Sequence, residues 1–265
     1  MGNELDAAVA AARAYEALHV PALFAQWADP LLDRAGVAAG HDVLDVACGT
    51  GALTRRAVER VGRDGSVTGV DVGPGMLVVA GETAPGATLL ESDAASIPVD
   101  DNSFDVALCQ FGLMFMPDPA AVLAEMARCV RPGGRVGVAV WEALERSPAY
   151  PITVDLLERR AGAAAADALR APFVHGDTDQ LLEFFLSAGL ADAAADTQVG
   201  TAHFPSVRVM VEADLRGWLP VMGVELDDAL IETLLDEAET LLAEYVTVDG
   251  EMVFDAPAHL AVATA

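Results

Sequence analysis

The sequence predicts an α/β fold: a doubly wound sheet, mostly parallel with an antiparallel last strand, preceded by N-terminal helices and carrying a helical cap insert. Three observations support this. Between residues 42 and 141, short apolar runs alternate with helical stretches of about 10–15 residues, the pattern of βαβ units on a parallel sheet. The runs are apolar almost throughout, as strands buried on both faces must be. The first run ends in a glycine-rich turn, Cys48-Gly49-Thr50-Gly51, that opens a helix, the arrangement found at the ligand-binding edge of such sheets.

The elements follow in order. Leu5 to Ala35 has apolar and alanine positions at helical spacing, interrupted by Pro21 and Pro30. Asp42 to Ala47 is the first strand and Ala52 to Val61 the helix after the turn, stopped by Gly62. Ser66 to Asp71 is a strand, Met76 to Ala84 a helix, and Thr88 to Ser92 a third strand. Phe104 to Cys109 follows the turn residues Asp100-Asp101-Asn102, and Ala120 to Val130 is a helix ending at Arg131-Pro132-Gly133-Gly134. Arg135 to Trp141 is the fifth strand. From Glu142 to Gly189 the alternation lapses into an alanine-rich helical stretch punctuated by Pro148, Pro151 and Pro172. Gln198 to Arg208 reads as a strand and Glu251 to Thr264 as the last one. Asp227 to Tyr245 between them is an amphipathic helix with a stripe of Leu230, Leu234, Leu241 and Tyr245. The stripe suits covering the sheet or pairing two copies as a homodimer.

Composition narrows the function. The 265 residues carry 15 basic against 41 acidic side chains, a net charge of −26, and every basic residue is arginine. Such a chain lacks the cation clusters that nucleic acid requires. Its 53% hydrophobic content argues against disorder. Three cysteines without a C-x-x-C pair give neither a disulfide framework nor a zinc site. The five histidines (His19, His41, His175, His203, His259) lack metal-binding spacing, so no metal is expected. There is no signal peptide at the start and no membrane-spanning run, so the expected location is the cytoplasm.

The turn defines the ligand. Gly49-Thr50-Gly51-Ala52-Leu53-Thr54 lacks the third glycine of the dinucleotide fingerprint, and a chain without lysine has no phosphate-binding P-loop. Asp45, just before the turn, has the wrong sign for a pyrophosphate and the right one for an amine. Asp71 ends the second strand, 22 residues after Gly49, where a carboxylate accepts from ribose hydroxyls. Asp93 follows the third strand, where an adenine edge would lie. Three carboxylates at successive strand ends suit an amine, a sulfonium, a ribose and an adenine.

Residues 42–141 resemble the Rossmann-like, class I S-adenosylmethionine-dependent methyltransferases, in the branch of ubiquinone/menaquinone-biosynthesis-type small-molecule enzymes. The segments that carry the resemblance are Val43 to Gly51, Gly69-Val70-Asp71 with Met76-Leu77, Ser92-Asp93-Ala94 with Ile97-Pro98, Ser103 to Val106, and Leu123 to Gly134. The resemblance implies S-adenosylmethionine as cofactor, with Ala47, Gly49, Thr50 and Gly51 beside its methionyl part and Asp45 near its ammonium. It places Asp71 on the ribose, Val72 and Met76 flanking the adenine, Asp93 and Ala94 at its amino edge, and Gln110 near the sulfonium. Ala47 stands where the family motif has its first glycine, and Gly73-Pro74-Gly75 replaces polar residues often found after the ribose acid. One methyltransferase domain is implied: a lid (1–40), a cofactor-binding core (41–141), a helical cap insert (142–190) and the C-terminal part of the sheet (191–265). Tyr15 and His19 share one face of the lid helix and, with Gln110, are the candidate catalytic groups. Trp141 closes the fifth strand at the mouth where an acceptor would sit. Phe173, Phe184, Phe185 and Leu186 make the insert apolar, so the expected acceptor is a small apolar or aromatic molecule. Two other readings share the cofactor: a cyclisation-type reaction on the same fold, or a non-catalytic subunit.

Overall fold

The computed structural model describes residues 2–265, with side chains from residue 4 onward. Seven strands form one sheet: β1 (Asp42–Val46), β2 (Ser66–Asp71), β3 (Thr88–Glu91), β4 (Phe104–Gln110), β5 (Val130–Trp141), β6 (Ala194–Phe204) and β7 (Met252–Thr264). Their order is β3-β2-β1-β4-β5-β7-β6. The first five run parallel, and β7 lies antiparallel between β5 and β6. The chain winds outward from β1 to β3, then returns to β4 on the other side of β1. That reversal opens a crevice at the carboxyl ends of β1 and β4, where ligands bind in such sheets.

Helix α1 (Gly2–His19) leads into a π turn (Val20–Phe24), a 3-10 turn (Ala25–Trp27) and α2 (Ala28–Arg34). Pro21 sits in the π turn, where its missing N–H is part of the break in the helical ladder. The sheet core is flanked by α3 (Ala52–Val61), α4 (Pro74–Thr83) and α5 (Pro119–Cys129). Asp118 caps α5 by accepting from the Ala121 N–H, and Pro119 sits in its first turn. The cap holds α6 (Tyr150–Ala161), α7 (Ala163–Arg170) and α8 (Thr178–Ser187). Between β6 and β7 come α9 (Val207–Ala213), a second π turn (Asp214–Trp218), α10 (Leu219–Val221) and α11 (Asp228–Leu241). Helices α9 and α11 pack on each other and α11 also packs on α6, so the cap is built from both sides of β6.

Two expectations change. The sixth strand begins at Ala194 and ends at Phe204, four residues earlier than the sequence reading placed it. Ser206 stops it by accepting from the Val209 N–H and starting α9, so the valines at 207, 209 and 211 are helical. On α11 the buried face is Ile231, Leu234, Leu235 and Ala238, while Leu241 is exposed. The apolar face of this helix is spent inside the chain.

The core runs along both faces of the sheet, with Leu31, Leu32, Leu44, Leu108, Leu123 and Met126 fully enclosed. At its amino edge Arg131 donates to Asp42 and Asp105 at 2.9 and 2.7 Å and to the Ser103 carbonyl. The Arg-Pro-Gly-Gly motif therefore staples β1 to β4 at the end opposite the crevice. Among the described residues no helix is long and apolar enough to cross a membrane.

Candidate active site

The crevice holds a small cavity of about 70 Å³, partly open to solvent. Its lining combines Asp45, Ala47, Gly49, Thr50 and Gln110 with Tyr15, Phe24 and Phe111. The core strand ends and the N-terminal segment thus meet as the sequence suggested.

Asp45 is 1% exposed. Its Oδ2 accepts a 2.6 Å hydrogen bond from the Thr54 hydroxyl, and its Oδ1 has no partner. Burial is the main reason its carboxyl rises to about 7, opposed by the Thr54 bond. A buried carboxylate oxygen left free at a cavity wall is what an incoming ammonium would satisfy. Thr54 had no local signal in the sequence: it stands on α3, and only folding brings it under β1.

The turn after β1 is held by backbone geometry. Gly51 has φ of +87°, left-handed, at the N-cap of α3, and an added Cβ would lie 2.9 Å from Thr83 Oγ1. Ala47 also has a left-handed φ of +56°, which costs an alanine about 1 kcal/mol. It sits where the family motif carries glycine, so the substitution keeps the conformation and adds strain.

Asp71 does not line the cavity. Its Oδ2 accepts from the Gly49 N–H and its Oδ1 from the Gly73 N–H, each at 2.8 Å, so it ties the loops after β1 and β2 together. Burial pushes its pKa up while these backbone donors pull it down. Val72 is 65% exposed and Met76 half-buried beside Gly73. Asp93 is exposed and its Oδ1 accepts from the Ala95 N–H at 2.8 Å, closing its own turn, while Ala94 is buried beneath. Val72, Met76, Asp93 and Ala94 lie outside the cavity lining, after the carboxyl ends of β2 and β3.

The N-terminal helix closes over this edge. Glu16 accepts from the Thr50 hydroxyl at 2.6 Å and from Arg55 at 2.8 Å, which fastens α1 to the cofactor-type turn. A Cβ on Gly75 would fall 2.6 Å from the backbone of Ala8, so only glycine lets α1 approach α4 this closely. Neither Glu16 nor Arg55 was evident from the sequence, because the pair joins positions 39 apart. Tyr15 stacks on His19 at 5.4 Å and leans on Phe24. Burial lowers His19 to about 4, and its Nδ1 has no partner. The phenol of Tyr15 is held protonated by burial and by nearby Glu16 and Asp71.

At the end of β4, Gln110 donates to the Phe24 carbonyl at 3.2 Å and leaves its Oε1 buried and free. Phe111 follows with a left-handed φ of +55° and stacks on Trp141, centroids 4.1 Å apart. Trp141 is accordingly buried in an aromatic group with Phe24 and Trp27. Cys48 and Cys109 are buried thiols whose pKa burial raises, so they pack. His259 is fixed between the Thr197 hydroxyl and the Gly176 carbonyl. Among the described residues no three His, Cys, Asp or Glu side chains are placed to share a metal ion.

Residues 43–134 match the family described as a methyltransferase domain. A ubiquinone/menaquinone biosynthesis C-methyltransferase UbiE from Cupriavidus necator is 35% identical over 180 residues, covering 62% of this chain and 73% of that protein. The chain belongs to this class I S-adenosylmethionine-dependent methyltransferase family. A demethylmenaquinone methyltransferase from Shouchella clausii is 40% identical over 115 residues, 42% of this chain and 49% of that protein, so the matched part is about half the length of such relatives. The YcgJ protein of Bacillus subtilis shares the fold: TM-score 0.58 at 20% identity, over 90% of this chain and 97% of that one. The methyltransferase cofactor is S-adenosylmethionine, and the donor set here fits it. Free acceptor oxygens on Asp45 and Gln110 face a cavity whose described lining carries no cationic side chain.

Proposed function

We propose that this methyltransferase transfers the methyl group of S-adenosylmethionine to a small, mostly apolar or aromatic acceptor in the cytoplasm, with no nucleic acid involved. The observation that carries the proposal is Asp45, sealed beside the glycine turn with Oδ1 free. When bound, S-adenosylmethionine supplies an electrophilic methyl on a sulfonium sulfur. Everything else falls to the chain. Asp45 holds the ammonium, and the backbone of Ala47, Gly49, Thr50 and Gly51 seats the methionyl part. Asp71, whose two oxygens accept from the Gly49 and Gly73 N–H groups, uses lone pairs left over from these bonds on the ribose. Val72 and Met76 flank the adenine, with Asp93 and Ala94 at its edge. Gln110 turns its free Oε1 toward the reacting centre.

The lid of residues 1–40 excludes water from the 41–141 core, and the 142–190 insert with the helices of 191–265 shapes the acceptor side of the same domain. Exclusion and alignment are the main catalytic contributions for a displacement of this kind. Of the candidate catalytic groups, Tyr15 and Gln110 line the cavity, whereas His19 stacks behind Tyr15 and burial holds it near 4, too weak a base to take a proton from an acceptor hydroxyl. The similarity to a demethylmenaquinone methyltransferase makes demethylmenaquinone, in oxidised and reduced form, the first acceptor to try. The test follows labelled methyl from S-adenosylmethionine into that acceptor and into a panel of phenols. Turnover that falls on Asp71→Ala through weakened cofactor binding is expected; unchanged affinity by calorimetry would remove Asp71 from the ribose. Tight binding of the cofactor with no methyl transfer to any acceptor would refute the reaction.

A further inference from the structure

Away from the cavity, one ionisable side chain is sealed in the cap without a partner. Asp214 opens the π turn between α9 and α10, is 5% exposed, and has no donor at its Oδ2. Buried carboxyls are normally paired, because an unmade hydrogen bond leaves the whole desolvation cost standing. The π turn is itself a departure from the α-helix of a kind found often at functional positions. A second enclosed group, Ser147 Oγ, also lacks a partner; it lies three residues before Tyr150, at the start of the same cap segment. Tyr150 is held protonated by its own burial first and by the nearby Asp214 second.

The surroundings point toward the crevice. Trp218, at the far end of the π turn, tilts against Phe115 with centroids 5.1 Å apart. Phe115 belongs to the 3-10 turn (Leu113–Phe115) that follows Gln110. That turn also touches the one containing Phe173, which packs on Tyr150 at 5.3 Å. The π turn contacts α1, whose Tyr15 lines the cavity. The π turn that Asp214 opens thus touches the lid helix at one contact and the turn after β4 at another.

We propose that Asp214 is the polar anchor of the acceptor chamber: its carboxyl hydrogen-bonds a hydroxyl or carbonyl oxygen on an aryl ring held by Phe115, Trp218 and Tyr150. This rests on the methyltransferase reading above. Burial raises the Asp214 carboxyl to about 8, so near neutral pH it is mostly protonated and donates to oxygen. A neutral acid in an apolar wall favours a neutral oxygen over an ammonium, which would have to be stripped of water as well.

The test uses 1-naphthol and naphthalene as probes, measured by equilibrium dialysis with and without S-adenosylhomocysteine. Wild type is expected to bind 1-naphthol about tenfold more tightly than naphthalene. Asp214→Leu is expected to erase that ratio, to leave naphthalene and S-adenosylhomocysteine binding unchanged, and to raise Tm by about 3 °C as the unpaired group disappears. Asp214→Asn, which can still donate, is expected to keep most of the ratio. Equal binding of the two probes by wild type, or binding of neither, overturns the proposal. So does a ratio that survives Asp214→Leu, or a Leu variant that loses Tm and cofactor binding together, which would make the residue structural. The methyltransferase reading is judged separately, by S-adenosylhomocysteine binding to wild type. Its failure there, with probe discrimination intact, would overturn that reading and leave the Asp214 site standing.

Discussion

Lowering the pH from 8 to 6 is expected to weaken binding of S-adenosylhomocysteine about tenfold. The reason lies in Asp45, whose carboxyl burial raises to about 7. An ammonium is held by the ionised form alone. With that midpoint the ionised fraction is about 0.9 at pH 8 and about 0.1 at pH 6, a loss of about 1.4 kcal/mol in binding. His19, held near 4, stays neutral across the range and does not contribute. Binding at pH 6 must therefore release close to one proton, which titration calorimetry reads as an enthalpy that changes with the buffer's own ionisation heat. Asp214 also titrates in this window, near 8, but it belongs to the cap, so Asp45→Asn isolates the cavity acid. The variant is expected to bind weakly and with no pH slope. Thr54→Val removes the one side-chain bond that stabilises the carboxylate, so it should move the midpoint upward. A flat affinity from pH 6 to 8 in wild type, or the same slope in Asp45→Asn, would refute the reasoning.

The same buried groups give the unliganded protein an inverted pH profile. Between about pH 5 and 6 the native state keeps protons on Asp45 and Asp214 that the unfolded chain has released, while the unfolded chain keeps one on His19 that the native state lacks. The net excess of one native proton makes stability fall by about 1.4 kcal/mol over that unit, readable by urea unfolding; Asp45→Asn with Asp214→Leu should reverse the slope. Ala47→Gly relieves a left-handed alanine at some gain in unfolded-chain entropy, for a net stabilisation of about 0.5 kcal/mol in thermal melts; clear destabilisation would mean that the Ala47 methyl is needed for packing. Gly75→Ala places a methyl 2.6 Å from the Ala8 backbone and should lift α1, read as faster proteolysis within residues 4–19 with the sheet core intact. Protection equal to wild type would show that α1 and α4 can part without loosening the lid.

Much of this was legible in the sequence because the central strands are buried on both faces. Val43 to Val46 and Val106 to Cys109 have to be apolar, and the glycines after β1 mark where the chain turns into α3. The reading failed where burial is one-sided. β6 is an edge strand with Thr197, Gln198, Val199 and Thr201 exposed, so its apolar pattern is weak and the valines of the next helix looked more strand-like. On α11, leucines occupy several helical phases, and only packing against α6 and α9 selects Ile231, Leu234, Leu235 and Ala238. In the candidate site, Asp45, Gly49, Thr50 and Gln110 converge as expected because each ends or follows a neighbouring strand. Thr54 beneath Asp45 and the Glu16–Arg55 clasp depend on contacts between distant segments, which leave no local pattern. Asp93 shows the opposite limit: its place after β3 is legible in the sequence, yet its carboxyl is engaged in its own turn.

The place of β7 sets an order of assembly. It is the last strand in the chain, but it sits between β5 and β6, joined to Arg135–Trp141 on one side and to all of β6 on the other. Until residues 252–264 arrive, the 194–204 segment has no neighbour to pair with and β5 shows an open edge. The parallel half can form from nearby segments, whereas this half closes only across about 120 residues of intervening chain, the kind of long-range pairing that slows folding. A nascent chain therefore has to keep a valine-rich edge unpaired while the whole cap is being synthesised, which makes β5 the stretch most exposed to pairing with another molecule before the sheet is finished.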